Sequence, residues 1–155
     1  MEEARTIQEA VREAGRRARA ASRLMAAASP DAKIRAMEFL ALLLEERKEE
    51  LLAANARDLE AARLAGLDGP RMDRLRLTPA ILSDMSEACR YVARLGDPVG
   101  AMDSQWQRPN GLLVGRMRIP LGVVARIYEA RPNVTIDASI LCLKAGNAVF
   151  LRGGS

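Results

Sequence analysis

Apolar positions change their spacing as the chain proceeds. From Thr6 to Met25, the residues Ile7, Ala10, Val11, Ala14, Ala18, Ala21 and Leu24 recur at helical intervals with Arg and Glu between them, which predicts an amphipathic helix. Ser29-Pro30-Asp31 predicts the next helix start, with Ser29 as the cap and Pro30 at the first helical position. Ile34, Met37, Phe39, Leu40, Leu43 and Leu44 then form a stripe too broad for an exposed helix. The charge run Glu45 to Glu50 reads as a solvated face, after which the pattern resumes through Leu51, Leu52, Leu59 and Leu64 and stops at Gly66. Gly69-Pro70 predicts a short helical turn to Leu75. Thr78-Pro79 repeats the capping arrangement for a helix reaching about Leu95, and Gly96-Asp97-Pro98 closes this all-helical section.

Beyond residue 100 the texture is that of strands. Ser104–Arg108 and Leu112–Arg118 flank Pro109-Asn110-Gly111, and Asn-Gly between two such runs signals a hairpin. Leu121 to Tyr128 is rich in β-branched residues and bounded by Pro120 and Pro132-Asn133, which predicts a buried parallel strand. From Thr135 to Ala145 the period becomes helical, with Asp137 in the first turn and Lys144 in the last, both suited to the helix dipole. Gly146-Asn147 ends that helix, Ala148–Leu151 is a second apolar strand, and Arg152-Gly-Gly-Ser155 is its glycine-rich exit. Strand, helix and strand make one βαβ unit with a right-handed crossover.

Ligands of open α/β sheets sit outside the carboxyl ends of the strands, which directs attention to Glu129–Asn133 and Arg152–Ser155. Each loop also has a plainer use. Asn133 suits a helix N-cap, and Arg152–Ser155 is equally a flexible strand exit, since Gly153-Gly154 lacks the GxGxxG spacing. Arg131 precedes a proline, so its backbone is held extended, which permits phosphate binding without requiring it.

Composition narrows the options. A chain of 155 residues with 49% apolar and 28% charged residues has ordinary globular composition, but only 3% aromatics, so Leu, Ala, Val and Met must fill the interior. With no His, a His-assisted hydrolase and a His-ligated metal site are excluded. Cys89 and Cys142 fall in predicted helices at no metal-ligand spacing and read as small buried hydrophobes, reduced in a cytosolic compartment. No apolar run approaches a membrane span, and the first residues are charged and periodic rather than signal-like. The net charge is +4. It is even over residues 1–60 (11 Lys/Arg against 12 Asp/Glu), and the excess over residues 61–155 (13 against 8) is scattered. Nucleic-acid binding needs a contiguous basic face, whereas a cleft for phosphorylated ligands needs only a few positive charges. A basic helical nucleic-acid-binding module is thus the alternative from another class. A third is an interaction protein that pairs its Asn110-Gly111 hairpin with a partner sheet.

The segments YEARPNVT, CLKAGNAV and LRGGS, preceded by PLGVVARI, are long and specific. With Asn55-Ala-Arg-Asp58, Ala65-Gly-Leu67, Met72-Asp-Arg-Leu75 and Gly96-Asp-Pro-Val-Gly100, they resemble the γ-glutamyl phosphate reductase family of the aldehyde dehydrogenase superfamily over nearly the whole chain. The resemblance implies an α/β fold of aldehyde dehydrogenase type. Residues 1–100 are then the helical front of the cofactor-binding domain and 101–118 a β-hairpin oligomerisation arm. Residues 119–155 are the first βαβ unit of a Rossmann-type parallel sheet. A local surface hairpin is the plainer alternative to the arm.

The activity implied is NADPH-dependent reduction of L-glutamyl 5-phosphate to L-glutamate 5-semialdehyde with release of phosphate, an oxidoreductase step of proline biosynthesis in the cytoplasm. Another aldehyde or acyl-phosphate dehydrogenase of the superfamily is the alternative within enzymes. Superfamily members form a thioacyl intermediate on a cysteine. That cysteine lies beyond residue 155 in the family, so the chain is expected to be a front portion without its catalytic domain. For the cofactor, the resemblance implies Tyr128, Glu129, Ala130, Arg131, Arg152, Gly153, Gly154 and Ser155. Arg152 stands where the superfamily keeps a ribose-binding lysine, and Ser155 where NAD-specific members have a glutamate. A cation and a neutral hydroxyl suit a phosphorylated ribose. A superfamily asparagine helps hold the oxyanion; counting leaves Arg131 and Asn133 both open for that role. A homo-oligomer through the hairpin, association with glutamate 5-kinase, and no metal, membrane or nucleic acid complete the expectation.

Overall fold

A computed structural model describes residues 2–129 and 131–153. Six helices and four strands follow in order: α1 (Glu2–Ala27), α2 (Pro30–Glu46), α3 (Lys48–Leu64), α4 (Gly69–Leu75), α5 (Pro79–Arg94), β1 (Met102–Gln107), β2 (Leu113–Met117), β3 (Val123–Ile127), α6 (Pro132–Lys144) and β4 (Ala148–Arg152). The local start signals act as expected. Ser29 and Thr78 accept hydrogen bonds from the Ala32 and Ile81 amides, with a proline in the first turn each time. α4 starts in the same way, with Asp68 accepting from the Arg71 amide. Gly66, at φ +76°, terminates α3. A single non-helical residue, Arg47, separates α2 from α3 inside the charge run.

The core lies among α2, α5 and α6. Met37, Ala41, Leu44, Leu82, Met85, Cys89, Val92, Ala93 and Ile140 form one cluster. Burial of each large side chain stabilises the fold by about 1.5–3 kcal/mol. Sulfur and aliphatic side chains fill this space, while Phe39 and Tyr91 stay exposed. Phe39 is therefore not part of the buried face of α2. Glu45, at the start of the charge run, bonds the Arg90 guanidinium at 2.7 Å and accepts from Ser86 at 2.6 Å, linking α2 to α5. These two partners hold its carboxyl down at about 2.

β1 and β2 form an antiparallel hairpin closed at Arg108–Leu112, where Gly111 takes φ +86° and Leu112 donates to the Asn110 side chain. β1 is exposed along its length. β3 and β4 pair in parallel, Val123 opposite Ala148 through Ile127 opposite Arg152, and α6 is the crossover. One expectation fails here: β3 is exposed at every residue except Val124, and Ile127 is 84% accessible. Among the described residues β3 and β4 pair only with each other; β4 is largely covered, with α1 and α6 against it, whereas β3 is left mostly open.

Helix α6 begins at Pro132, three residues earlier than its periodicity predicts, which moves Asp137 out of the first turn. It ends as expected, with Gly146 at φ +71°, the Gly146 amide on the Leu143 carbonyl and the Asn147 amide on Cys142. A Cβ at Gly146 would approach Pro120 Cγ to 3.0 Å, so space as well as backbone angle calls for glycine. Lys144 does not serve its own helix. Its ammonium is 5% exposed and donates to the Ala93 carbonyl, in the last turn of α5, at 2.9 Å. The end of α6 is met instead by Lys33 of α2, 2% exposed, which lies 3.5 Å from the Lys144 carbonyl and 2.9 Å from Asp97. Burial raises the Asp97 pKa, but the Lys33 hydrogen bond, the Val99 amide and the charges of both lysines together carry it below its ordinary value.

Asp97→Asn leaves the buried Lys33 ammonium without its counter-charge, and urea unfolding at neutral pH is expected to show a loss of about 3 kcal/mol. Lys33→Met, which removes the charge as well as the pair, should cost less. Because the folded carboxyl titrates below the unfolded one, its contribution is whole above the unfolded carboxylate pKa and fades as pH falls through the folded value. The gap between Asp97→Asn and the parent chain should accordingly close in acid.

Candidate functional site

The carboxyl ends of β3 and β4 are brought together by their register. Ile127 stands opposite Arg152, and the Tyr128 amide donates to the Arg152 carbonyl at 3.1 Å, one residue past the last strand pair. Both turns therefore leave the ribbon side by side. The register is set at the other end, where the Asn147 side chain accepts from the Gly122 amide at 2.8 Å and the Ala148 amide donates to the Gly122 carbonyl at 2.9 Å.

Of the residues expected at the site, Tyr128, Glu129, Arg131, Arg152 and Gly153 flank these two strand ends. Glu129, Arg131 and Arg152 are exposed. Ala130, Gly154 and Ser155 lie outside the described residues. The Arg152 guanidinium donates to the Gly153 carbonyl at 2.9 Å and faces solvent, not packed interior. Among the described residues no carboxylate pairs with it.

Asn133 is not the helix cap. Arg131 holds that position, extended at φ −133° and ψ 97° as a residue before proline must be, and its side chain makes no capping bond. Asn133 sits inside the first turn and donates to Asp137 at 3.3 Å. The amide is therefore turned along α6, one helical turn from the strand exit. Tyr128 crosses between segments: its hydroxyl meets the Thr135 hydroxyl at 2.5 Å, and Thr135 in turn accepts at its carbonyl from Ser139 at 2.6 Å. Thr135 had figured in the sequence only as the first residue of a helical pattern. Its partnership with Tyr128 depends on α6 starting early, which periodicity alone does not reveal.

No family model matches the chain. The γ-glutamyl phosphate reductase of Nitratidesulfovibrio vulgaris is 70% identical over 145 residues, which is 94% of this chain and 35% of that protein. That of Desulfovibrio desulfuricans is 67% identical over 141 residues, 91% of this chain and 33% of the relative. Among solved structures, the γ-glutamyl phosphate reductase of Thermotoga maritima superposes with a TM-score of 0.87 at 41% identity, over 92% of this chain and 34% of that one. The chain belongs with the γ-glutamyl phosphate reductases. It spans about a third of the length of the curated relatives it matches. The enzyme of the same name from Saccharomyces cerevisiae gives the same TM-score at 28% identity, so the mixed helix-and-sheet architecture is shared across a wide sequence distance.

Neither thiol of the chain is placed for chemistry. Cys89 and Cys142 are both buried and unpaired, Cys89 wholly so inside the α2–α5–α6 core. Burial pushes both thiols up from their ordinary range, and Asp137 pushes Cys89 further. Among the described residues no cluster of His, Cys, Asp and Glu can hold a metal ion, and no helix is long and apolar enough to cross a membrane.

Both thiols should accordingly resist a water-soluble disulfide reagent at pH 8 in the folded chain and react together once it is unfolded. Rapid labelling of Cys89 in native conditions would contradict its placement in the core.

Proposed function

We propose that this chain supplies the adenosine side of the cofactor cleft in an NADPH-dependent γ-glutamyl phosphate reductase, which reduces L-glutamyl 5-phosphate to L-glutamate 5-semialdehyde and releases phosphate in proline biosynthesis. The observation that carries the reading is the Tyr128-to-Arg152 backbone bond, which sets the two strand exits side by side beneath an exposed guanidinium. Three features suit a phosphorylated nucleotide. Among the described residues Arg152 has no carboxylate to neutralise it. Gly153 adds no side chain at the β4 exit, where a Cβ would stand in ordinary contact with the Tyr128 phenol, 3.9 Å away. Parallel strand ends are where open α/β sheets bind ligands.

In this reading Arg152 holds the ribose phosphate by a charge-assisted bond, with Gly153, Gly154 and Ser155 lining the same exit. Tyr128, Glu129, Ala130 and Arg131 form the facing wall. Asn133 or Arg131 contacts substrate nearer the reacting carbonyl. The nicotinamide supplies the hydride when the cofactor is bound. The nucleophilic thiol belongs to a part of the reductase outside these residues, since Cys89 and Cys142 are both core. Residues 1–100 and 119–155 make up parts of one Rossmann-type cofactor domain, and the exposed 101–118 hairpin is the arm that joins subunits of a homo-oligomer. Two unpaired cysteines fit a cytosolic enzyme. Association with glutamate 5-kinase would bring the labile acyl phosphate to its consumer.

Arg152→Ala, in a reductase of the relatives' length carrying this sequence, is expected to weaken NADPH binding roughly tenfold to a hundredfold, as loss of a charged hydrogen bond does. NADH binding should change far less. Equal loss for the two cofactors, measured by fluorescence titration without substrate, would show that the guanidinium does not read the 2′-phosphate.

A further inference from the structure

The Tyr128 phenol invites a simple reading as a surface on which a cofactor ring lies. Its hydrogen bonding says otherwise. The hydroxyl is engaged with Thr135 Oγ1 at 2.5 Å, the residue's amide is engaged with the Arg152 carbonyl at 3.1 Å, and the ring lies alongside Gly153. One half-buried residue, at the end of β3, thus reaches two other pieces of the site: the exit of β4, through its amide and ring, and the first turns of α6, through its hydroxyl. Thr135 is itself fixed, because α6 surrounds it and Ser139 donates to its carbonyl. The exits have little else to hold them at this end, where Ile127 and Arg152 are both exposed.

We propose that Tyr128 is a positioning residue: with Thr135 as its anchor, it sets the gap between the two strand exits, and thereby the affinity for NADPH, without donating a bond to the ligand. The inference rests on the cofactor reading above. It assigns Thr135 a part in the site and removes the Tyr128 hydroxyl from the ligand contacts. Ring and hydroxyl have separable duties. The ring fills the space beside Gly153, and the hydroxyl fixes where the ring stands relative to α6. Tyr128→Phe keeps the first and loses the second.

The test uses a reductase of the relatives' length carrying this sequence, with Tyr128→Phe, Thr135→Val, Thr135→Ser and the Phe/Val double variant. NADPH affinity is titrated without substrate, KM and kcat are compared with substrate, and amide hydrogen exchange is followed over residues 127–135. Tyr128→Phe and Thr135→Val should each raise the NADPH Kd about two- to tenfold, the range of one neutral hydrogen bond. Each should raise KM for NADPH by more than it lowers kcat, and each should speed exchange at the Tyr128 amide. The double variant should be no worse than either single, since one bond is lost in all three. Thr135→Ser, which keeps the hydroxyl, should bind like the parent.

Weaker binding in Tyr128→Phe with unchanged exchange and an unaffected Thr135→Val would mean the hydroxyl meets the ligand directly, and would overturn the proposal. Faster exchange with unchanged affinity would overturn it too, because the brace would then not govern the cleft. If the parent binds NADPH and Arg152→Ala weakens it while none of these variants does, the positioning role alone is wrong. If the parent does not bind NADPH, the cofactor reading falls and this inference with it.

Discussion

Two ammonium groups, those of Lys33 and Lys144, are almost wholly removed from water, and among the described residues one carboxylate, Asp97, accompanies them. An isolated buried ion costs several kcal/mol, so the arrangement persists only if something else negative is present. The something else is backbone. α5 and α6 both end at this corner, and each helix carries about half a negative charge at its last carbonyls. Lys144 of α6 caps α5 at Ala93, and Lys33 of α2 meets α6 at Lys144. One carboxylate and two helix ends together offset two ammoniums, and the three helices that enclose the core are bound at one point. The arrangement is a relay: Lys144 at the end of α6 serves the end of α5, and Lys33 from the first turn of α2 serves the end of α6.

From that corner the chain runs directly to the site. Lys144 is followed by the Gly146 turn, then Asn147, whose side chain takes the Gly122 amide, then the five residues of β4. A strand advances about 3.3 Å per residue, and a slip of one residue would turn every side chain to the opposite face. Fixing Gly122 against Asn147 and Ala148 therefore decides, some 17 Å away, that Ile127 and Arg152 are the residues that meet at the far tip. The site owes its composition to an interaction at the other end of the ribbon.

What could be read from the sequence follows from the range of the interactions involved. Caps are local: Ser29-Pro30, Thr78-Pro79, Gly66 and Gly146 each act within a few residues, and each ends or begins a helix where it was placed. The hairpin at Asn110-Gly111 and the strand-helix-strand order of residues 123–152 were legible for the same reason. The family resemblance added a candidate site but no register. Three features were not legible. Arg131 displaced Asn133 as the cap because proline at 132 brought the helix start forward, past the point where apolar spacing becomes visible. β3 looked buried because its side chains are apolar, yet burial depends on what packs against them, and within these residues little does. Nothing in the local sequence marks Lys33 for burial. Its burial is decided by Asp97, 64 residues away, and by Lys144, 111 residues away.

The two ends of the ribbon differ in how firmly they are built, and the difference suits the use proposed for them. At the amino end, a buried Asn147, a glycine whose Cβ would crowd Pro120 and Val99, and the buried lysines hold the chain. At the carboxyl end, one backbone bond and one hydroxyl pair join residues that are half-buried or exposed. Local stability follows burial and contact, so opening should begin at the carboxyl end. A cleft that must admit a nucleotide and release it benefits from such a gradient, provided the movable end returns to one geometry. Tyr128 meets that condition because its partner, Thr135, belongs to the rigid helix and not to either exit. An anchor on β4 would have moved with the piece it was meant to hold.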